Sequence, residues 1–76
     1  MNLQNISVGK SCRVTDIYMD DKIRRRLEAL GILEGTRVEV LNCKRNGAMI
    51  IKVRGARWAL GSSIVKGIEV EELSNE

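Results

Sequence analysis

The stretch DDKIRRRLEALGILEGTRVEVL, residues 20–41, decides the fold, because it predicts a short helix, a glycine stop, a glycine turn and a strand. Within it Ile23, Leu27 and Leu30 recur at helical spacing and form one apolar stripe, with Arg25 on the opposite side. A helix of about ten residues is too short to be stable alone. We therefore expect this helix to pack its apolar stripe onto a sheet.

Both ends of the predicted helix carry end signals. Asp20 or Asp21 can accept hydrogen bonds from the first free backbone N–H groups, and a carboxylate there suits the helix dipole. Gly31 stands where a left-handed residue is needed, and Ile32 would then contact Leu27 in a Schellman-type closure. We expect Gly31 to have a positive φ, so that Gly31→Val costs more than the roughly 1 kcal/mol of an average substitution.

Alternating apolar residues predict five short strands in the chain. The first contains Cys12 and Val14, and a phase shift near Asp16 predicts a bulge there. The predicted inward-facing residues of the other four strands are, in chain order, Val38 and Val40; Met49, Ile51 and Val53; Trp58 and Leu60; Ile68 and Val70.

The connections between these strands are short and contain turn residues. Asn46-Gly47 predicts a type I′ hairpin between the second and third strands, because both residues tolerate positive φ. Gly55 and Ala56 are expected to make a tight connection between the third and fourth strands. Ser62 and Ser63 are expected to cap one turn of helix before the last strand.

These elements predict a mostly β protein, a small SH3-like five-stranded barrel with one short α-helix between the first two strands and a helical turn before the last. A five-stranded OB-fold is the alternative, but it usually carries its helix between the third and fourth strands. The 76 residues have room for one domain, 1–76. Leu3, Ile6 and Val8 are expected to close one end of its core, and the polar tail after about residue 73 to be frayed.

Composition argues against an enzyme and against a metal site. The chain has no histidine, the commonest general base and transition-metal ligand, so we predict no catalytic residue, no metal ligand and no cofactor. Cys12 and Cys43 are expected to be buried and reduced, so ferrous or zinc ions should find no site tighter than micromolar. No apolar run approaches the roughly 20 residues of a membrane-spanning helix, and no signal-peptide core is present, so we expect a cytoplasmic location.

The net charge of +3 is distributed unevenly. Residues 44–57 carry five bases and no acid, whereas residues 69–76 carry four acids and no base. A small protein without catalytic groups must act through its surface, and arginine pairs well with carboxylates. The candidate partner-binding residues are Arg24, Arg25, Arg26, Arg45 and Arg57. Solvation of an exposed helix face explains the three helix arginines equally well.

A basic nucleic-acid-binding barrel is the competing hypothesis, because arginines and lysines cluster in two regions of the sequence. Tyr18 and Trp58 are the only aromatic residues, and Trp58 is expected to lie in the core. The stacking platform of single-strand binders is therefore missing, and we expect no nucleic-acid partner.

Several of these segments taken together resemble the FeoA family of small bacterial proteins that accompany the ferrous iron transporter FeoB. The resemblance extends from residue 9 to residue 71. The segments that carry it are Leu30-Gly31-Ile32, Gly35, the strand with Val38 and Val40, Arg54-Gly55 and Ala59-Leu60.

This resemblance implies an SH3-like accessory protein of a ferrous iron uptake system, acting as an interaction module on the cytoplasmic part of FeoB at the inner face of the plasma membrane. Transition-metal binding is a family-level description for which this chain shows no ligand set. A similar domain forms the C-terminal module of iron-dependent repressors of the DtxR type, so a stand-alone relative of that domain is a further alternative. We expect a monomer or a weak homo-oligomer.

Overall fold

The computed structural model describes residues 1–73, and the predicted frayed tail lies outside the described residues. A 3-10 turn at Leu3–Asn5 precedes five strands and two helices. These are β1 (Ser11–Ile17), α1 (Asp21–Ala29), β2 (Arg37–Cys43), β3 (Met49–Val53), β4 (Ala56–Leu60), α2 (Ser62–Val65) and β5 (Ile68–Glu72). The predicted elements and their order are confirmed. None of the helices within residues 1–73 has the length and apolar character needed to cross a bilayer.

The five strands form one antiparallel sheet in the order β4-β3-β2-β1-β5. Within residues 1–73 no pairing joins β4 to β5, so the sheet is open, although its layout suits a small barrel-like fold. The register of β1 against β5 shifts between Val14 and Asp16, which confirms the predicted bulge. A second shift in β2, between Val40 and Asn42, was not predicted.

One apolar core lies on the inner side of the sheet. All the predicted inward-facing strand residues are buried except Trp58, which is half-buried and packs against the core. Leu3 and Ile6 close one end, as expected, but Val8 is 55 % exposed and takes no part. The Trp58 indole N–H finds no hydrogen-bond partner within residues 1–73.

Helix α1 is fixed at both ends by the predicted caps. The Asp20 side chain accepts a hydrogen bond from the backbone N–H of Ile23 at 3.0 Å. At the other end Gly31 has φ +92°, and the N–H of Ile32 reaches the carbonyl of Leu27 at 2.8 Å. Together with the bond from the N–H of Gly31 to the carbonyl of Glu28 at 2.9 Å, this bond forms a Schellman motif at the end of the helix.

The prediction of a type I′ turn at Asn46-Gly47 is wrong, because such a turn needs a positive φ at both residues and only Gly47 has one. The Asn46 side chain accepts a hydrogen bond from the N–H of Ala48 at 3.0 Å, and Lys44 and Ala48 flank a three-residue loop. A non-glycine residue with positive φ occurs instead in the β3–β4 turn, where Arg54 has φ +51° and Gly55 has φ +83°. The type I′ geometry therefore belongs to Arg54-Gly55.

The capping role predicted for Ser62 and Ser63 is also wrong. Helix α2 begins at Ser62, so the cap position belongs to Gly61 and no side-chain hydrogen bond caps the helix. A Cβ added to Gly47 would lie 2.9 Å from Cβ of Ser62, so the β2–β3 loop approaches the start of α2 closely.

Candidate protein-interaction surface

Helix α1 presents two of the predicted arginines to solvent. Because its apolar stripe packs against the core, Arg25 and Arg26 on the other side are exposed. Neither guanidinium forms a salt bridge within residues 1–73. Both are therefore available to a carboxylate of a partner, and the capped helix holds their backbone in place.

Arg24 occupies a different environment from its two neighbours. It is half-buried, and its guanidinium donates a hydrogen bond to the carbonyl of Ile17, the last residue of β1. It also lines a shallow depression of about 260 Å³ together with Glu28 and Leu33. Arg24 lies three residues before the buried Leu27 and so borders the apolar stripe. The Arg24 side chain therefore ties α1 to β1, whereas Arg25 and Arg26 project into solvent.

A second group of positive charges forms a groove at one end of the sheet. The groove has a volume of about 440 Å³, and we call it the basic groove after Arg37, Lys52 and Arg54 in its lining. Its other lining residues are Gly35, Thr36, Glu39 and Gly55. None of the three bases forms a salt bridge within residues 1–73, even though Glu39 is the cross-strand neighbour of Lys52. The groove therefore has an excess of uncompensated positive charge.

The Arg54 side chain lies close to the end of helix α1. A Cβ added to Gly31 would lie 3.6 Å from Cδ of Arg54, so the arginine side chain passes the helix C-terminus. Unpaired carbonyl groups give that end of a helix a partial negative charge, which favours a nearby guanidinium.

The five predicted partner-binding arginines do not form one surface. Arg57 is the cross-strand neighbour of Lys52 and lies beside the basic groove. Arg45 lies in the β2–β3 loop, at the other end of β3, which is about 17 Å long for five residues. Arg24, Arg25 and Arg26 belong to α1.

Sequence analysis missed Arg37, Lys52 and Arg54 as candidate residues. The position of Lys52 beside Arg57 could have been predicted from the sequence, because a two-residue turn at Arg54-Gly55 places these two residues directly opposite each other. The connection predicted at Gly55 and Ala56 lies one residue too late in the chain, and this error hid the pairing. Arg37 could not be added from sequence, since its position depends on how the turn before β2 meets the β3–β4 turn.

The two cysteines occupy different environments. Cys12 is fully buried in β1, as expected, whereas Cys43 is exposed, so the expectation that both are buried is wrong for Cys43. Cys43 is the last residue of β2, beside the exposed loop. Cys12 pairs with Val38, five residues from Cys43 along β2, so the thiols lie about 16 Å apart and cannot form a disulfide. Within residues 1–73 no three Cys, Asp or Glu side chains gather in a group that could hold a metal ion.

The different burial of the thiols predicts different reactivity. Burial, and secondarily the negative charge of Glu72, raises the pKa of Cys12 to about 11, so the Cys12 thiolate is scarce at neutral pH. An aromatic disulfide reagent at pH 8 should label Cys43 rapidly and Cys12 only as fast as the protein opens. Cys43→Ser should remove the rapid phase, and rapid labelling of that variant would contradict the buried position of Cys12.

Comparison with known proteins shows which protein family this chain resembles in sequence and in fold. The FeoA domain model matches residues 1–72. No curated protein matches the chain significantly. A crystal structure described as the iron uptake regulatory protein FeoA is 27% identical, covers 96% of this chain and 97% of its own, and has a TM-score of 0.88.

Two further solved structures bear on the fold and on the alternatives. FeoA of Stenotrophomonas maltophilia complexed with zinc, described as a procaryotic SH3 domain protein, is 28% identical, with 93% and 89% of the two chains covered and a TM-score of 0.78. The SH3-like fold class is thereby confirmed. A manganese-dependent transcriptional repressor bound to manganese is 26% identical with a TM-score of 0.87, and the match covers 96% of this chain but only 36% of the repressor. Since the family model spans nearly the whole sequence, the chain belongs to the FeoA family.

Proposed function

We propose that this protein is an accessory component of a bacterial ferrous iron uptake system and that it acts in the cytoplasm by docking on the cytoplasmic part of FeoB. The match of the FeoA domain to residues 1–72 carries this proposal. The relative from Stenotrophomonas maltophilia has itself been put forward as a ferrous iron transport activating factor. On this proposal the protein acts by contact, performs no catalysis and needs no bound cofactor.

The exposed arginines of α1 support a contact of this kind. Arg25 and Arg26 project from a capped helix and have no salt-bridge partner within residues 1–73. A guanidinium can bind a carboxylate through two parallel hydrogen bonds, which gives orientation as well as attraction. We therefore place the docking surface for FeoB on this side of α1.

Nucleic-acid binding is the second candidate, and the uncompensated charge of the basic groove is the observation that favours it. The groove is lined by no aromatic residue, so a nucleic acid would be held through its phosphates alone. Phosphate-driven binding falls steeply as salt is raised from 50 to 200 mM. A salt series with RNA and DNA, run beside a pull-down with the cytoplasmic part of FeoB, separates the two candidates.

Arg25→Glu is expected to weaken binding to the cytoplasmic part of FeoB about tenfold, because it puts a like charge against the partner's carboxylates. The melting temperature should stay near that of the wild type, since Arg25 is exposed and unpaired. Calorimetry or surface plasmon resonance with the purified cytoplasmic part of FeoB measures the affinity, and iron uptake in cells gives the second readout.

Lys66→Glu is the matched control, because it reverses one exposed charge outside α1, directly after α2. It should leave the affinity within about twofold of the wild type. Equal losses in the two variants would indicate attraction by overall charge, and undiminished binding by an Arg25/Arg26 double reversal would remove α1 from the contact.

A further inference from the structure

The two edges of the sheet are protected unequally. At β5 the N–H of Val70 donates to the carbonyl of Met1 at 2.7 Å, and Asn2 forms a β-bridge with Glu69, so the N-terminal segment partly covers that edge. At the opposite edge β4 pairs only with β3 within residues 1–73. An uncovered edge strand is a ready template for pairing with another chain.

The register of the β3–β4 hairpin shows which backbone groups point outward. Val53 and Ala56 flank a two-residue turn, so they form a hydrogen-bonded pair, and bonded pairs alternate along an antiparallel ladder. Ile51 and Trp58 are therefore also bonded to each other. The N–H and C=O groups of Arg57 and Ala59 consequently face the open edge, and neither residue is buried. No turn, loop or side-chain hydrogen bond within residues 1–73 uses these four groups.

The side chains around this edge specify what would pair with it. On the outer face Arg57 lies opposite Lys52, and neither base forms a salt bridge within residues 1–73. On the inner face Trp58 is only half-buried beside the core. Cross-strand neighbours interact directly, so an added strand would place a carboxylate beside Arg57 and an apolar side chain beside Trp58.

We propose that β4 is a strand-addition site that binds an extended protein segment in which acidic and apolar residues alternate. Backbone hydrogen bonds to Arg57 and Ala59 hold the segment, Arg57 and Lys52 select its acidic face, and Trp58 selects its apolar face. Charge complementarity favours this occupant over a second copy of the chain, because residues 52–59 contain three bases and no acid. This inference concerns a surface separate from the α1 arginines and does not require FeoB to be the partner.

A synthetic capped peptide of alternating glutamate and valine tests the proposal. Titrated into the isotope-labelled protein, it should shift the amide resonances of Arg57 and Ala59 most strongly and slow their hydrogen exchange. The same peptide with lysine in place of glutamate should bind at least about tenfold more weakly. A peptide N-methylated at its glutamate amides should not bind in this way, since a glutamate opposite Arg57 could no longer donate to the Arg57 carbonyl.

Two protein variants separate backbone pairing from charge. Ala59→Pro removes an outward N–H without touching the bonds to β3, so it should melt near the wild type and lose peptide binding. Arg57→Glu should bind the glutamate peptide at least about tenfold more weakly than the wild type does, and it should bind the lysine peptide more tightly than the wild type does. Lys66→Glu should change the affinity for neither peptide.

Several outcomes would overturn the proposal. Shifts confined to α1 or to the basic groove would show that the peptide binds as a polyanion elsewhere. Shifts of Arg57 and Ala59 that depend on protein concentration without peptide would identify a second copy as the occupant. Unchanged peptide affinity in both Ala59→Pro and Arg57→Glu would exclude the edge.

Discussion

Gly31→Val is expected to lower the free energy of unfolding by about 2–3 kcal/mol, which is a large part of the stability of a small domain. The cause is the backbone, because Gly31 has φ +92°, a conformation in which a β-branched residue is strained. Space is not the cause, since an added Cβ would lie 3.6 Å from Cδ of Arg54 and 3.8 Å from Cγ1 of Val53, ordinary contact distances. Urea denaturation of the wild type and the variant measures the difference.

Gly61→Val is the matched control for this prediction. Gly61 has φ −66°, and a Cβ added there meets no atom within 4 Å, so the same substitution should cost less than about 1 kcal/mol. Gly31→Asn provides a second comparison, because asparagine tolerates the left-handed conformation and should recover part of the loss. If Gly31→Val and Gly61→Val lowered the free energy of unfolding equally, the left-handed closure of α1 would contribute nothing to stability.

Gly67→Ala is expected to lower the free energy of unfolding by about 2 kcal/mol for a steric reason. A Cβ at Gly67 would lie 2.5 Å from Cε of Met19 and 3.0 Å from the carbonyl oxygen of Tyr18. The two segments cannot separate freely, because the Tyr18 N–H donates to the carbonyl of Gly67 at 2.7 Å. Thermal and urea denaturation should both show the loss.

A double-mutant cycle with Met19→Ala divides this cost between its two sources. Met19 is a flexible side chain, and truncating it removes the nearer clash while the Tyr18 carbonyl remains. Gly67→Ala should therefore cost clearly less in the Met19→Ala background than in the wild type. An unchanged cost would place the whole effect on the backbone contact, and no cost in either background would contradict the close approach.

Local chemistry explains why much of the fold could be predicted from the sequence. The Asp20 cap, the Gly31 closure and the stripe of Ile23, Leu27 and Leu30 depend on neighbours within a few residues, and the structure has all of them. Strand alternation likewise gave the buried residues of β2, β3 and β5. These features required no knowledge of distant contacts.

The predictions were wrong where distant segments or competing local hydrogen bonds determine the local structure. Asn46 and Gly47 have the composition of a type I′ turn, but a side-chain bond from Asn46 to the N–H of Ala48 selects a longer loop. Cys43 is exposed because it ends β2 beside an exposed loop, and composition does not reveal where a strand leaves the core.

The candidate site was less predictable than the fold for the same reason. The exposed positions of Arg25 and Arg26 follow from the helical repeat, but the bond from Arg24 to the carbonyl of Ile17 depends on how α1 sits against β1. The basic groove requires three separate segments, the turn before β2, strand β3 and the β3–β4 turn, to meet. No single stretch of sequence contains that information.

The position of β1 between β2 and β5 has a consequence for the order in which the chain folds. The β2–β3–β4 meander closes loops of only a few residues, whereas Val14 must find Val70, 56 residues away (70 − 14). Each doubling of a flexible loop adds about 0.6 kcal/mol of closure entropy. The meander can therefore form early on local contacts, and we expect the docking of β5 on β1 to limit the rate of folding.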